Sequence, residues 1–514
     1  MTSRPATLPP KVSRADFAAA VRQWAAIVGQ EHVVAEPDRL GAYTKIMVPS
    51  PTAMHTPAGA VAPASVEEVQ AVVRVANHYR IPLWVISTGK NLGYGSAAPA
   101  TAGQVVLDLK RMNRIISVDA EFGTALVEPG VTYAQLKAYL DEHNIPLWIS
   151  FPSSGPIAGP MGNTLDRGVG YNRNGEHFAN FCGLEVVLAD GSLLRTATGG
   201  VEGSNTWNDY RWGYGPWVDG LFSQSNMGIV TKMGIWLMHK PPANKGLLVG
   251  WDSDEGMVKG VDVVRRLRLT GVLDNSVLGH SMYHIAQITR RRDLWNKPGS
   301  IPQDEIKRIC ASHGLGLWGL ISTLYGTEEQ IAVNLKIVRE AFAATGGQMM
   351  VEGDPGIEKT PFPHWHENMI GEPSLDEFSI YNFKGGGGSA WFAPLCRCEG
   401  SEALKVLNIM RSVLTEFGFD YVGGMLIGGR HMEHLLDLLY DRTDPAETRR
   451  AHACFARLID TCAAAGYGVY RTNIAYMDKV ADTFGPAQRA INKKLKRALD
   501  PRGIIAPGKS GITI

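Results

Sequence analysis

Cysteine is scarce in this chain: there are six in 514 residues (Cys182, Cys310, Cys396, Cys398, Cys454 and Cys462), and no C-x-x-C pair. That excludes a disulfide scaffold and a C-x-x-C-H haem attachment within the chain. Cys396 and Cys398, two positions apart, supply too few ligands for a four-ligand zinc site, so all six read as structural thiols. Excess charge is also missing. Lys plus Arg total 51 against 50 Asp plus Glu, a formal net charge of +1, so no overall field draws the protein to nucleic acid or to an acidic membrane. No apolar run is long enough to span a bilayer, and the amino-terminal MTSRPATLPPKVSRADF lacks the apolar core of a signal peptide. The expectation is a chain with no membrane span and no export address of its own. The P-loop G-x-x-x-x-G-K-S/T, the nucleophile elbow G-x-S-x-G and the zinc motif H-E-x-x-H are absent too. His431 and His434 in RHMEH, and His364 and His366 in HWHEN, have no identified third ligand, so no catalytic metal is expected.

What is present is ordinary globular material, 45% hydrophobic and 20% charged. The length exceeds what one core supports and predicts two domains. Ser13 and Asp16 have capping-box spacing ahead of FAAAVRQWAAIVG, and Ser65 and Glu68 repeat it in SVEEVQAVVRVANHY. Strand signals follow in IPLWVIS, VVLDL and ALVEPG, and in LEVVLADGSLLRTA, where Asp190 and Gly191 make a hairpin turn. This mixed order predicts an α+β fold rather than a regularly alternating one. Pro241 and Pro242 mark a domain boundary, beyond which amphipathic helices alternate with strand candidates such as LWGLISTLYG and GMLIGG.

Three glycine-bearing stretches invite a functional reading. STGKNLGYGS (87–96) follows a strand and offers backbone N–H groups to a pyrophosphate, or is an ordinary surface turn. SFPSSGPIAGP with MGNTLDRGVGY (150–171) supplies N–H and hydroxyl donors for another part of a large anionic cofactor, or makes turns. In YNFKGGGGSAWFAP (381–394) four glycines lie too close to large aromatics for a flexible linker, so backbone must approach something closely. YGVYRTN (467–473) suits a strand, with Tyr470 and Arg471 on opposite faces.

Taken in order, ISTGKNLGYGSAAP, LVEPGVTY, GNTLDRGVGY, GSNTW, SQSNMGIVTKMG, YNFKGGGGSAWFAP, LYDRTDPAET, YRTN and APGKSGI resemble the flavoprotein subunits of the p-cresol methylhydroxylase and vanillyl-alcohol oxidase family. That family includes 4-ethylphenol methylenehydroxylase and eugenol hydroxylase, and the resemblance runs from Leu8 onward. It implies a two-domain FAD-binding α+β fold with a cap domain over the flavin, assigning 1–242 with 466–514 to FAD and 243–465 to the cap. The implied FAD contacts are Ser87, Gly89, Lys90, Asn91, Gly93, Gly95, Ser96, Pro129, Gly130, Gly162, Asn163, Gly168, Gly228, Ile229, Val230 and Lys509. Tyr381 matches the tyrosine that cytochrome-linked members bond to the flavin 8α carbon, whereas histidyl members carry their histidine where this chain has Ser389.

The resemblance also implies oxidation of a para-alkyl phenol at its benzylic carbon through a p-quinone methide. Tyr94, Tyr470 and Arg471 would hold the phenol oxygen, and Glu377 is the expected acid near the reacting carbon. Gly424 and Glu433 stand where the p-cresol enzyme has a glutamate and a histidine. That departure leaves Glu433, His434 and Asp437 as further pocket candidates and predicts that Gly423 and Gly424 open room for a para substituent larger than methyl, such as those of eugenol, 4-alkylguaiacols or lignans. Trp391 matches an aromatic between flavin and haem. Electrons would then pass to a separate c-type cytochrome subunit, the flavin subunits forming a homodimer within a heterotetramer, periplasmic with that partner and otherwise cytoplasmic. The alternatives are an oxidase that uses O2 and, from a different class, a non-catalytic nucleotide-binding protein.

Overall fold

The computed structural model of the protein describes residues 7–514. The first six, part of the stretch read for an export signal, lie outside the described residues. Local chemistry starts the amino-terminal helices. Ser13 accepts from the backbone of Asp16 at the start of Arg14–Val28, and Ser65 accepts from Glu68 while the Glu68 carboxylate reaches back to Ala64 N at the start of Val66–Tyr79. Both helices bury apolar faces, Phe17, Ala20 and Trp24 on one and Val69, Val72 and Val73 on the other, beside a four-stranded sheet. In that sheet Gly59–Val61, Val105–Asp108 and Leu83–Ile86 run parallel.

A second, antiparallel sheet orders Ile115–Asp119, Thr124–Val127, Ile229–Trp236, Phe181–Val187 and Leu193–Arg195. The Asp190-Gly191 turn joins its last two strands, with Ser192 N donating to the Asp190 carboxylate. After Pro241 and Pro242 the chain enters an eight-stranded antiparallel sheet built from Ala243–Trp251, Val277–His280, Trp318–Gly326, Gln348–Val351, Gly388–Phe392, Leu395–Arg397, Gly423–Ile427 and His431–Tyr440. Helices Asp254–Leu269, Glu328–Ala343, Gly400–Phe417 and Pro445–Ala464 share one buried core with it. The architecture is α+β, as the mixed order of elements predicts.

Two sets of contacts tie the parts together. The carboxyl-terminal tail returns to the parallel sheet, where Leu83 N donates to Ile504 O and Ala506 N to Leu83 O. Lys496, fully buried, donates to Asn226 O, to Ile505 O at 2.7 Å and to the Asp500 carboxylate at 2.7 Å. At the edge of the large sheet the Tyr440 hydroxyl and Ser389 N both donate to Met47 O, and Arg442 donates to Ile46 O. Among the described residues no helix is long and apolar enough to cross a membrane.

Candidate active site

A cleft of about 180 Å³ opens where strand Leu83–Ile86 ends. Ser87, Gly89, Lys90, Asn91, Ser96, Pro129, Gly162, Asn163, Gly228, Val230 and Lys509 all line it, so eleven of the expected FAD contacts converge from five separate segments. A Cβ on Gly162 would collide with Ser87 Oγ, and the loop turns through positive φ at Gly89, Gly93 and Gly95. Lys509 is held by Asp166 at 2.6 Å, and Asp166 also accepts from Asn91. Lys90, Asn91, Ser154 and Asn163 continue the cleft into a second cavity containing Tyr381. An elongated cleft rich in N–H, hydroxyl and cationic groups, running into an aromatic-lined chamber, fits a dinucleotide that carries a tricyclic ring.

The other expected contacts stand back from the cleft. Side chains on Gly130 and Gly168 would collide with Lys110 O and with Asn163, so these glycines let neighbouring chain close up. Ile229 is fully buried core. Gly93 and Gly95 face Trp391 and Ile474.

The inner cavity is lined by Lys90, Tyr94, Ser153, Tyr171, Tyr381, Trp391, Leu435, Tyr470 and Arg471, among others. The Arg471 guanidinium sits 3.9 Å above the Tyr94 ring and 5.4 Å from the centre of Tyr470. YGVYRTN is not a strand. Only Val469 bridges, to Pro394, and the irregular chain beyond it brings Tyr470 and Arg471 to the same cavity instead of opposite faces. Burial raises the Tyr470 hydroxyl well above the ordinary phenol value, with Arg471 pulling the other way. Arg471 keeps its charge despite burial, because a guanidinium is not deprotonated in a protein, and it has Asp166 and the Tyr94 and Tyr470 rings beside it. Arg471 Nε has no hydrogen-bond partner among the described residues.

Two carboxyl groups lie close by. Glu377, 4% exposed, accepts from the Tyr283 hydroxyl, and burial, partly offset by Tyr283 and Ser153, pushes it up to about 7. Asp437 accepts from Ser389 at 2.7 Å and is likewise pushed to about 7 by burial. Both are therefore poised near neutrality, as acid–base chemistry requires.

The four remaining pocket candidates depart from expectation. Glu433, raised to about 7 by burial, lines a neighbouring polar cavity that shares Val169 and Tyr171 with the inner one. His434, next along strand His431–Tyr440, points to the other face, where it bonds Tyr421 at 2.7 Å and burial lowers it to about 3. Gly423 and Gly424 open no volume in the inner cavity. A Cβ on Gly424 would lie 2.6 Å from Leu278 O and one on Gly423 would collide with Leu435 O, because the flanking strands already fill that space.

Tyr381 lies in the 3-10 turn Asp376–Asn382, stacked on Phe378 at 5.9 Å. The glycine run that follows packs against protein. Gly385, Gly386 and Gly387 all have positive φ, and a side chain on Gly386 would collide with the Asp441 carboxylate. The run is a tight turn seated on the end of strand His431–Tyr440, with Arg442 Nε donating to Gly386 O at 2.6 Å. Sequence reading also missed Tyr171, Tyr283 and Ser153, which surround Glu377. Only the hydroxyl-rich SFPSSGP hinted at one of them.

These features define a class, and comparison with known proteins agrees. The FAD binding domain family matches residues 57–197, and the FAD linked oxidases C-terminal domain family matches 375–510. The protein is an FAD-binding oxidoreductase of two-domain architecture. It is 47% identical to the 4-cresol dehydrogenase (hydroxylating) flavoprotein subunit of Pseudomonas putida over 99% of this chain and 98% of that one. A 1'-carboxy-chondrochloren decarboxylase of Chondromyces crocatus is 33% identical, over 87% of this chain and 89% of that one. Among solved structures, p-cresol methylhydroxylase with substrate bound superposes with a TM-score of 0.97 at 46% identity, covering 99% of each chain. A 4-ethylphenol oxidase from Gulosibacter chungangensis, in complex with isoeugenol, gives 0.94 at 32%, also covering 99% of each. The chain belongs to the p-cresol methylhydroxylase flavoprotein family.

Proposed function

We propose that the protein oxidises para-alkyl phenols at the benzylic carbon and adds water to the product of that oxidation. The observation that carries this reading is the Tyr94, Tyr470 and Arg471 cluster in one cavity with Tyr381, beside buried carboxyl groups poised near neutrality. FAD, held along the 87–96 loop, 159–163 and Lys509 and attached through the Tyr381 oxygen, supplies the hydride acceptor. Tyr470, Tyr94 and Arg471 bind the phenol oxygen as phenolate. Loss of hydride from the phenolate leaves a neutral p-quinone methide, so fixed donors at that oxygen act where charge is redistributed. Glu377 orients the incoming water and takes its proton. Trp391, beside Tyr381 in the cavity wall, leads electrons to a c-type cytochrome subunit, in an assembly of two flavin and two cytochrome chains located with that partner.

A para substituent larger than methyl remains part of this reading. Its support is the polar cavity beyond Val169 and Tyr171, not the glycines at 423 and 424. Anaerobic mixing with p-cresol and with eugenol or 4-propylguaiacol should bleach the flavin, with higher kcat/KM for the larger phenols. A preference for p-cresol removes the size reading, and no bleaching by any of them removes the function. Reoxidation of the bleached protein by cytochrome c much faster than by O2 supports the cytochrome acceptor, and the reverse order makes the protein an oxidase. Peptide mass analysis after denaturation should find FAD on the peptide containing Tyr381; flavin released free would remove the covalent link.

A further inference from the structure

On the function proposed above, each turnover leaves a proton inside the inner cavity. When water adds to the benzylic carbon of the quinone methide, a C–O bond forms as the exocyclic C=C pair moves through the ring to regenerate the phenolate, which regains on release the proton given up at binding. One O–H bond of the water breaks, with its electron pair staying on the water oxygen. The hydride already lost to FAD balances the electrons, and the proton has to reach solvent. Glu377 can take it, yet this carboxyl is buried and must discharge before the next cycle.

Hydroxyl groups lead from the cavity to Glu377. Ser153 lines the cavity, is hydrogen bonded to the Tyr171 hydroxyl and turns toward the Glu377 carboxyl. On the far side Glu377 Oε2 lies 3.9 Å from His364 Nε2, a buried nitrogen that has no hydrogen-bond partner among the described residues. The same ring continues outward, its Nδ1 lying 3.2 Å from Ser374 Oγ beside the exposed Asp376. His364 sits on helix Phe362–Met369, with Trp365 edge-on beside it and His284, from helix Ser281–Ile288, the other titratable group near it. Asp437 has no comparable route. It is fully buried, and its one side-chain hydrogen-bond donor among the described residues is Ser389.

We propose that His364 is the proton exit of this site: Nε2 accepts the proton held by Glu377 while Nδ1 gives one up through Ser374 to solvent, and the ring then resets its tautomer. Burial keeps the imidazole low, at about 4, so it is neutral at neutral pH and passes the proton by simultaneous exchange at its two nitrogens without standing as imidazolium. His364 touches neither substrate nor cofactor in this scheme and acts through Glu377.

The test separates proton movement from hydride loss. In an anaerobic single turnover in weak buffer, flavin bleaching reports oxidation of a para-alkyl phenol and an indicator dye reports the released proton. His364→Phe and His364→Gln should leave bleaching within about twofold while slowing proton release tenfold or more, and added imidazole should restore release in the phenylalanine variant. Unchanged release, equal slowing of both signals without imidazole rescue, or slowing confined to Glu433→Gln would overturn the proposal. A second readout needs no turnover: the infrared band of the protonated Glu377 carboxyl, assigned with Glu377→Gln, should exchange in D2O tenfold more slowly in His364→Phe. Equal exchange refutes the relay even if phenols fail to bleach the flavin, an outcome that would count against the proposed function instead.

Discussion

Replacing Lys496 with methionine should loosen the carboxyl-terminal tail from the cofactor cleft. Methionine keeps most of the volume but removes three donated hydrogen bonds, to Asn226 O, Ile505 O and Asp500 Oδ2. Asp500 is left fully buried, its Oδ1 and Oδ2 still accepting from Ile504 N and Ile505 N but without a countercharge. Breaking a buried pair from one side costs roughly 3–5 kcal/mol, because the stranded charge is the expensive element. At about 2 °C per kcal/mol for a chain of this size, the thermal midpoint should fall by on the order of 5–10 °C. Asn226 also donates to Ala506 O and Ile512 O, flanking Lys509, so noncovalent FAD uptake by a Tyr381→Phe background should weaken together with stability. Adding Asp500→Asn removes the stranded charge while keeping an acceptor, and should recover part of the loss. Differential scanning calorimetry and FAD titration of the single and double variants measure both effects. A midpoint within 2 °C of the parent, with unchanged FAD uptake, would refute this account of the latch.

Burial raises Glu377 from 4.5 to about 7, so the folded state binds that proton more tightly than the unfolded chain does. The resulting stability is complete below about pH 4, declines as pH rises through about 7, and is worth at most about 3 kcal/mol. Glu377→Gln should therefore flatten the fall in thermal midpoint of the flavin-free protein between pH 5 and 8, and parallel curves would contradict this. Arg471→Met should lower kcat/KM for para-alkyl phenols by about 10²-fold or more at pH 7, and by less near pH 10, where the phenol arrives ionised; a loss under threefold would clear Arg471 of the role. Gly386→Ala forces a side chain at positive φ into the Asp441 carboxylate, and should cost roughly 1–3 kcal/mol, partly relieved by Asp441→Ala in the double variant. Thermal melts of the two single variants and the pair decide it.

The sequence was most legible where causes are local. Ser13 and Ser65 cap the helices they precede, and Asp190-Gly191 turns the hairpin it should, because each needs only neighbours within a few residues. Ordered motifs carried the long-range part, bringing Tyr94, Tyr381, Trp391, Tyr470 and Arg471 to one cavity. Reasoning failed where a partner on another element decides the outcome. Gly424 reads as space until strand Val277–His280 is seen against it. Glu433 and His434 read as one cluster until strand alternation sends them to opposite faces. His364 was weighed only as a metal ligand, and its proximity to Glu377 links a helix to a 3-10 turn that no spacing rule connects.

The contacts at Ile46 and Met47 bear on how small molecules reach the flavin. One short loop of the amino-terminal part receives Tyr440, Ser389 and Arg442 from the edge of the large sheet, close to the turn that sets Tyr381. An enzyme riveted along that edge gains little from swinging its halves apart, since opening would break these bonds. Phenol exchange then depends on side-chain and loop fluctuations on the nanosecond to microsecond scale rather than on domain motion over microseconds to milliseconds. Residence time becomes a property of the wall residues, Tyr171 and Val169 foremost, and can be tuned there without disturbing the chemistry behind them.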